Sequence, residues 1–320
     1  MLDAEPLTDP SSLPPLTPPP PVGIASTIFL NEKGLRAGWR LLIYAAFVAA
    51  IGFGGGMVLR HFAPPTHGVF SPRYLFAGEI FSFVVVFGAA LIMSWIEHRS
   101  PGAYGLPANS AFGKLFWQGF LIGLVEISAL VGLISAFGGY SFGALALHGS
   151  DILRWAIVWA IFFVFVGLFE EFLFRGYTQF TLADGIGFWP AAILLSVSFG
   201  AVHLGNPGEG WVGAAAVVMI GLVFALTLRR TGNLWLAVGW HASFDFGETF
   251  LFSVPNSGVV FDGHLSNASL HGAKWLTGGT VGPEGSVFSF LTMAIFALVV
   301  NRLYPAKSSN PTPNQATQLS

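Results

Sequence analysis

The 320-residue sequence contains no cysteine, which excludes disulfide bonds, thiolate metal sites and cysteine nucleophiles. Charged residues are also scarce, at 9% of the chain against about 25% in ordinary soluble domains. The net charge is only −2 and no basic run occurs, so nothing indicates nucleic-acid binding. Hydrophobic residues reach 53%, and this composition predicts a membrane protein.

Long apolar runs divide most of the chain. A helix needs about 20 apolar residues to cross the hydrocarbon core of a bilayer. Eight runs approach that length, at 37–59, 75–95, 115–137, 152–175, 188–204, 211–228, 233–253 and 284–304. The predicted fold is therefore an all-α, polytopic membrane bundle of about eight transmembrane helices, formed by residues 33–304.

Both ends of the chain are polar by comparison. The first 21 residues contain eight prolines, and no basic segment precedes an apolar core, so a signal peptide is not predicted. We expect residues 1–32 to form a disordered, Pro-rich cytoplasmic tail and residues 305–320 to form a polar cytoplasmic tail.

The basic residues predict the orientation of the bundle. With the N-terminus inside, ten of the 14 basic residues fall on the inner side, namely Lys33, Arg36, Arg40, Arg99, Lys114, Arg175, Arg229, Arg230, Arg302 and Lys307. The outer side then has Arg60, Arg73, Arg154 and Lys274. Because cytoplasmic loops are enriched in Lys and Arg, we expect both termini in the cytoplasm.

The fourth run ends in an acidic pair, Glu170 and Glu171, followed by Arg175. A charged side chain at the bilayer centre costs about 2.5–3.5 kcal/mol on insertion scales, so two together indicate a function. Glu171 and Arg175 have i, i+4 spacing and can pair along the helix, as an anchor at its inner end. Glu170 is turned about 100° away and can face the interior of the bundle.

Two histidines fall within later runs. His203 follows Phe199 by four residues, and Asp245 follows His241 by four, so each pair shares a helix face. A glutamate can act as a general base on water, while imidazoles bind a divalent metal or donate to an oxyanion. As a carboxylate, Asp245 can be a metal ligand or can orient His241.

Other interpretations of these residues remain open. An intramembrane histidine such as His203 is often a hydrogen-bond partner between helices, and Phe199 is expected to pack or to face lipid. The loop residues His264 and His271 are interpreted as solvated rather than as metal ligands. The presence of Glu170, His203 and His241 on separate helices favours a functional site.

Further acids occur in the runs, at Glu79, Glu126 and Glu248. They can be structural hydrogen-bonding groups or steps of a proton path. An ion-coupled transporter is therefore an alternative function, although no inverted repeat is evident. A third alternative is a catalytically silent scaffold or immunity protein that binds partners through the Pro-rich tail.

Three motifs carry a resemblance to a known family. Glu170-Glu171-Phe172-Leu173-Phe174-Arg175 matches EExxxR, Phe199-Gly200-Ala201-Val202-His203 matches FxxxH, and His241-Ala242-Ser243-Phe244-Asp245 matches Hxxx(N/D). The sequence thus resembles, over about 150–250, the CPBP intramembrane proteases, which include CAAX prenyl proteases and bacteriocin-processing or immunity proteins.

The resemblance implies an eight-helix bundle with a cavity open to the cytoplasm, and an endopeptidase that cleaves near the cytoplasmic face. It implies that Glu170 activates water with His203, while His241 and Asp245 stabilise the oxyanion or help to hold a metal. One divalent ion, zinc, would have His203, His241, Asp245 and Glu170 as ligands. Eukaryotic prenyl proteases have Asn at the last position, so Asp245 favours ligation or orientation of His241 over amide donation.

The expected partners are a peptide or membrane-protein substrate and the lipid bilayer, in a bacterial inner membrane.

The proposed site requires His203 and His241 to lie at a similar depth in the bundle. From Pro190, His203 is about 20 Å along its helix, whereas His241 is about 12 Å beyond Asn233. A tilt, a broken helix or a different boundary must bring the two histidines together.

Overall fold

A computed structural model describes residues 28–31, 34–62 and 72–306. Most of the predicted tail at 1–32 lies outside these ranges, as do residues 307–320 of the other tail. The disorder of the two tails and the domain boundaries that they define stay predictions.

Within the described ranges the fold is mostly helical. Nine helices of ten or more residues are present there: α1 (Ala37–Phe62), α2 (Pro72–Ile96), α3 (Lys114–Ala136), α4 (Ser150–Arg175), α5 (Tyr177–Ile186), α6 (Phe188–His203), α7 (Trp211–Thr231), α8 (Trp235–Phe246) and α9 (Val287–Leu303). The two-residue strands β1 (Leu30–Asn31) and β2 (Gly34–Leu35) pair antiparallel, as do β3 (Tyr140–Ser141) and β4 (Ser269–Leu270). The prediction of an all-α membrane bundle is confirmed.

Each of the eight predicted runs contains a helix. Five segments of the described chain are long and apolar enough to cross a membrane: Ala37–His61, Tyr74–Ile96, Lys114–Ala136, Ser150–Ile186 and Trp211–Thr231. The helices α6 and α9 are shorter but apolar. α8 is extended by a π-helical turn, Gly247–Leu251.

Apolar side chains cover the outside of the bundle. Phe53 is 74% exposed and Leu298 is 65% exposed, and many other large apolar residues are similarly uncovered. In water such an apolar surface would cause association, whereas in a bilayer it faces the hydrocarbon chains. The surface of the protein therefore agrees with a membrane location.

The helix after Arg175 was not predicted. α4 ends at Arg175, as predicted, but the chain continues into α5 with only Gly176 between the two helices. Polar residues in α5 lower its hydropathy, although Tyr177 is fully buried and stacks on Tyr44. Arg175 consequently lies inside the bundle and is completely buried rather than interfacial.

One end of the bundle, called the basic face here, contains the starts of α1, α3 and α8 and the ends of α2, α5, α7 and α9. Arg40 holds this face together through Glu97 at 2.5 Å and Asp184 at 2.9 Å. The backbone N–H of Leu234 also donates to the carbonyl of Gly105. The start of α8 is thereby fixed beside the end of α2.

The opposite end, called the loop face, contains the end of α6, the start of α7 and the segment 252–286. This segment is joined to the loop before α4, because β4 pairs with β3 and the Ala146 N–H donates to the Leu265 carbonyl. The Gly258 N–H donates to the carbonyl of Val281, which closes the segment on itself. The loop face is therefore an ordered cover over one end of the bundle.

Close packing of α3 on α8 sets the position of the central helix. A Cβ atom on Gly239 would collide with the carbonyl oxygen of Phe116, and one on Gly123 would collide with that of Trp240. Glycine at these positions lets two helix backbones come into direct contact. Trp240 then donates its indole N–H to Glu126 at 2.6 Å, across the same contact.

Candidate active site

A cavity of about 310 Å³ lies among the helices α2 to α4 and α6 to α9 and the loop face. Its walls are mainly apolar, from residues such as Phe162, Val217 and Phe224. Its polar lining consists of Glu79, Glu126, Glu170, His203, Asn206, His241, Asp245, Asn256, Ser257, Glu284, Ser289 and Thr292. An apolar pocket with convergent ionisable groups is a common form of active site.

The adjacent acids on α4 have different surroundings. The side chain of Glu170 lines the cavity and is 23% exposed, whereas that of Glu171 is completely buried. Glu171 accepts a hydrogen bond from Arg175 at 3.2 Å. The same oxygen, Oε1, is 3.0 Å from Nδ1 of His241 on α8.

His241 lies between the carboxylates of Glu170, Glu171 and Asp245. Because an ionised carboxylate only accepts hydrogen bonds, Nδ1 of His241 carries the hydrogen that Glu171 accepts. Nε2 then faces the cavity, 3.6 Å from Glu170 Oε2 and 3.6 Å from Asp245 Oδ2. Phe224 stacks on the ring with centroids 5.6 Å apart and fixes its plane.

His203 reaches the same cavity from another helix. Its Nδ1 is 2.9 Å from the Phe199 carbonyl oxygen, which can only accept, so Nδ1 carries the hydrogen there. In the neutral ring Nε2 is then free to accept a hydrogen bond. Among the described residues, no ion pair within 4.0 Å joins His203 to Glu170 or to another carboxylate.

The two histidines line one cavity because His203 is the last residue of α6 and the cavity extends toward that helix end. The structure thus brings Glu170 and Asp245 within 3.6 Å of His241, and His203 lines the same cavity. The catalytic roles of these residues stay predictions.

Arg175 connects the first two motifs. Its guanidinium lies 4.4 Å from the ring centroid of Phe199, and Phe174 and Phe224 are also within 6 Å. Phe199 is 2% exposed and in turn packs edge-on against His203. The interpretation of Glu171 and Arg175 as an interfacial anchor is wrong, because the pair is buried between the motifs.

The additional acids are distributed around the site. Glu79 and Glu126 line the cavity, whereas Glu248 is fully buried in the π-helical turn. Each of the three has at least one carboxylate oxygen without a hydrogen-bond partner among the described residues.

Several lining residues come from the loop face and carry no motif in the sequence. Asn206 follows α6, Asn256 and Ser257 precede the 3₁₀ turn at Pro283–Gly285, and Glu284 lies in that turn. Their contribution follows from the folding of distant loops over the cavity, which no local pattern indicates. His264 and His271 do not line it, and they hydrogen-bond to Phe261 and Ser269.

Glu284 is unusual among these loop residues. Its carboxylate accepts the backbone N–H of Ser257 at 2.6 Å and therefore ties the two parts of the segment together. Burial raises the pKa of Glu284 to about 8, and the negative charge of Asp245 contributes in the same direction.

A catalytic zinc ion requires its protein ligands to converge on one point. Zinc binds imidazole and carboxylate groups at about 2.0–2.2 Å, usually with three protein ligands in catalytic sites. Among the described residues, no group of three or more His, Asp or Glu side chains is arranged to hold a metal ion. No catalytic step is therefore assigned to a metal, and the zinc site stays a prediction.

Comparison with known proteins agrees with the motifs. The model of a family described as type II CAAX prenyl endopeptidase Rce1-like matches residues 151–247, which contain all three motifs. No curated protein matches the chain. Over these residues the chain is therefore similar to type II CAAX prenyl endopeptidases, as the motifs predicted, and this similarity indicates a membrane-embedded protease.

Proposed function

We propose that the protein is an intramembrane endopeptidase in which Glu170 activates a water molecule. The observation that supports this proposal best is the meeting of Glu170 with His241 in a largely apolar cavity. A carboxylate that lines such a cavity is partly shielded from water and close to an imidazole, as a general base requires.

The first step is attack on the peptide carbonyl. Glu170 takes a proton from water as the oxygen forms a bond to the carbonyl carbon, and the carbonyl oxygen becomes an oxyanion. His203 accepts a hydrogen bond from the attacking water through Nε2, since Nδ1 already donates to the Phe199 carbonyl. The histidine thereby orients the water.

The second step is collapse of the tetrahedral intermediate. His241, protonated on both nitrogens, donates from Nε2 to the oxyanion while Nδ1 donates to Glu171. The C–N bond breaks as Glu170 returns its proton to the leaving amine, which restores the carboxylate. Asp245, 3.6 Å from Nε2, stabilises the positive charge on the ring.

Glu171 is assigned a positioning role. It accepts from His241 and from Arg175 at once, so the imidazole has a fixed orientation before substrate binds. The resemblance also implies cleavage near the cytoplasmic face. The contacts among the catalytic residues do not depend on which side of the membrane the substrate enters.

The test is to replace Glu170 with Gln, which keeps the size of the side chain but removes the base. We expect cleavage of natural precursors, measured by comparing membrane peptides from cells with either protein, to fall at least about 100-fold. Asp151→Asn is the matched control, because Asp151 also lies on α4 but is 58% exposed at its side chain and far along the helix. An unchanged cleavage rate in a folded Glu170→Gln protein would refute the proposal.

An ion-coupled transporter is favoured by one observation, the presence of Glu79 and Glu126 in the same cavity. Substrate-driven proton flux into liposomes distinguishes it from a protease. Flux that survives Glu170→Gln, together with unchanged peptides in the cell comparison, would support the transporter.

A further inference from the structure

The cavity has a polar end apart from the proposed catalytic residues. α8 packs against α4 at Gly167, where an added Cβ would lie 3.0 Å from the Val238 carbonyl oxygen, and against α3 at Gly123. Glu170 therefore reaches the cavity from the α4 side of α8, and Glu126 reaches it from the α3 side. Among the described residues, no ion pair within 4.0 Å involves Glu126.

The Glu126 end, defined here by Glu126 on α3 and by Ser289 and Thr292 on α9, offers only hydrogen-bond acceptors. Trp240 donates to Oε2 of Glu126, whereas the buried Oε1 has no hydrogen-bond partner among the described residues. The Thr292 hydroxyl lies beside this carboxylate, but its one hydrogen goes to the Ser289 carbonyl at 3.0 Å. The Ser289 hydroxyl likewise donates to the Ser286 carbonyl at 2.7 Å. Oε1 and the two hydroxyl oxygens therefore remain as acceptors.

The charge of the cavity favours a cation at this end. Within the part of the chain that the structure describes, the lining contains five carboxylates and no Lys or Arg. Acidic side chains alone would not indicate a ligand. Glu126, however, is completely buried and keeps an unpaired oxygen at the cavity, and such an oxygen is costly unless a donor reaches it.

A lysine side chain has the matching chemistry. Its ammonium group has three donors and no acceptor, and it is carried on an apolar stem. The acceptors of the Glu126 end suit the ammonium group, while the rings of Trp240 and Phe224, 5.7 Å apart, line the cavity beside it and suit the stem. Arginine, which also only donates, meets the same conditions. An aliphatic or acidic side chain would leave Oε1 without a donor.

We propose that the Glu126 end binds a basic side chain of the substrate, and that the substrates are peptides with Lys or Arg close to the scissile bond. The cavity of about 310 Å³ is only two to three residues of extended chain across, at about 3.3 Å per residue. The basic residue therefore lies within about three residues of the bond that Glu170 cleaves. The substrate class rests on the proposed protease function, whereas binding of a cation at Glu126 does not.

The cation site is tested on the purified protein in detergent, with n-butylammonium chloride as a probe of the size of the lysine side chain. The neutral analogue n-butanol gives the contribution of the stem alone. Glu126→Gln removes the charge at unchanged size. Glu248→Gln is the matched control, because Glu248 is also completely buried with unpaired oxygens among the described residues but does not line the cavity.

We expect n-butylammonium to raise the thermal midpoint of wild type and of Glu248→Gln by at least about 2 °C more than n-butanol does. Glu126→Gln should lose this difference. Thr292→Val, which removes one acceptor and retains Glu126, should reduce it, so the test does not depend on the folding of one variant. No difference in wild type, or an unchanged difference in the Glu126 and Thr292 variants that fold, would overturn the site.

The substrate class is tested separately, by mapping the peptides that depend on Glu170 onto their precursors. We expect Lys or Arg at one fixed position within about three residues of the cut. Replacing that residue with Met in one precursor should slow its cleavage by wild type at least about tenfold. Glu126→Gln should cleave both forms equally, because the interaction is already lost.

Cuts without a nearby basic residue, or a preference for the basic form that survives Glu126→Gln, would overturn the substrate class. If Glu126 only stabilises the α3–α8 contact, the variant would slow both forms by the same factor, which also overturns it. If no peptide depends on Glu170, the protease proposal fails, while the n-butylammonium result still decides the cation site.

Discussion

At the scale of single residues, the acidic pair on α4 performs two tasks because of helix geometry. Neighbouring residues point about 100° apart, so Glu170 faces the cavity while Glu171 faces Arg175 and His241. The burial of Glu171 and Arg175 gives this pair a larger effect than a surface ion pair would have.

Removal of one partner of the buried pair should leave an uncompensated charge. We expect Glu171→Gln and Arg175→Met each to reduce the free energy of unfolding by about 3–5 kcal/mol, visible as a lower thermal midpoint in detergent. The double variant should be less destabilised than the sum of the two, since both charges are gone. Full additivity would contradict the pairing.

Activity separates the positioning role of Glu171 from its role in stability. The double variant should remain about 10–100-fold less active than wild type, because His241 keeps no carboxylate at Nδ1. Wild-type activity in a stable double variant would show that Glu171 does not orient the histidine.

The raised pKa of Glu284 predicts that stability depends on pH. Between the ordinary value of 4.5 and about 8, the folded protein retains a proton that the unfolded chain has released. Unfolding in this window therefore releases a proton, and stability should fall as the pH rises through about 8.

Glu284→Gln is the matched variant, because its amide oxygen can still accept the Ser257 N–H but cannot ionise. The thermal midpoint of wild type should fall more steeply than that of the variant between about pH 5 and pH 9. Parallel curves would show that Glu284 does not cause the dependence.

At the scale of secondary structure, the site depends on how closely α8 approaches its neighbours. α8 carries His241 and Asp245, and glycines at its contact with α3 allow the backbones to touch. On α7, Gly221 leaves the space that the Arg175 guanidinium occupies, since a Cβ there would collide with it. Small residues on α3, α7 and α8 thus set the positions of the charged ones.

A methyl group at the α3–α8 contact should separate the helices. We expect Gly239→Ala to lower the thermal midpoint and to reduce cleavage at least about tenfold, because a displacement of His241 by about 1 Å disturbs the site. Gly132→Ala is the control, since Gly132 lies on α3 with no atom within 4 Å of an added Cβ. Equal effects of both substitutions would argue against the contact.

At the scale of the whole molecule, the bundle has two chemically different ends. The basic face joins the start of α1 to the end of α5 through Arg40 and Asp184, and the end of α9 to the start of α3 through Tyr304 and Gln118. The start of the first described long helix and the end of the last one therefore lie on the same face.

Reporters placed before α1 and after α9 should consequently detect the same compartment. The bias of basic residues predicts that this compartment is the cytoplasm. A reporter that is active only in the cytoplasm, fused at either position, checks both statements. Activity at one position alone would mean that the chain crosses the membrane an odd number of times.

The sequence by itself determined the class of fold and the three motifs. Apolar runs are long enough to identify membrane helices without tertiary information, because the bilayer thickness sets their length. The i, i+4 spacing of His241 and Asp245, and of Glu171 and Arg175, is a local property of a helix and was visible for the same reason.

Only the tertiary structure decided what depends on distant contacts. The continuation of α4 into α5 was hidden because the partners of its polar residues, such as Arg40 for Asp184, lie more than 100 residues away in sequence. The contact of Glu171 with His241 crosses between helices, and part of the cavity wall is formed by loops that fold over it. Periodicity reports which side of a helix is apolar, but the neighbour that covers this side is set by packing of the whole chain.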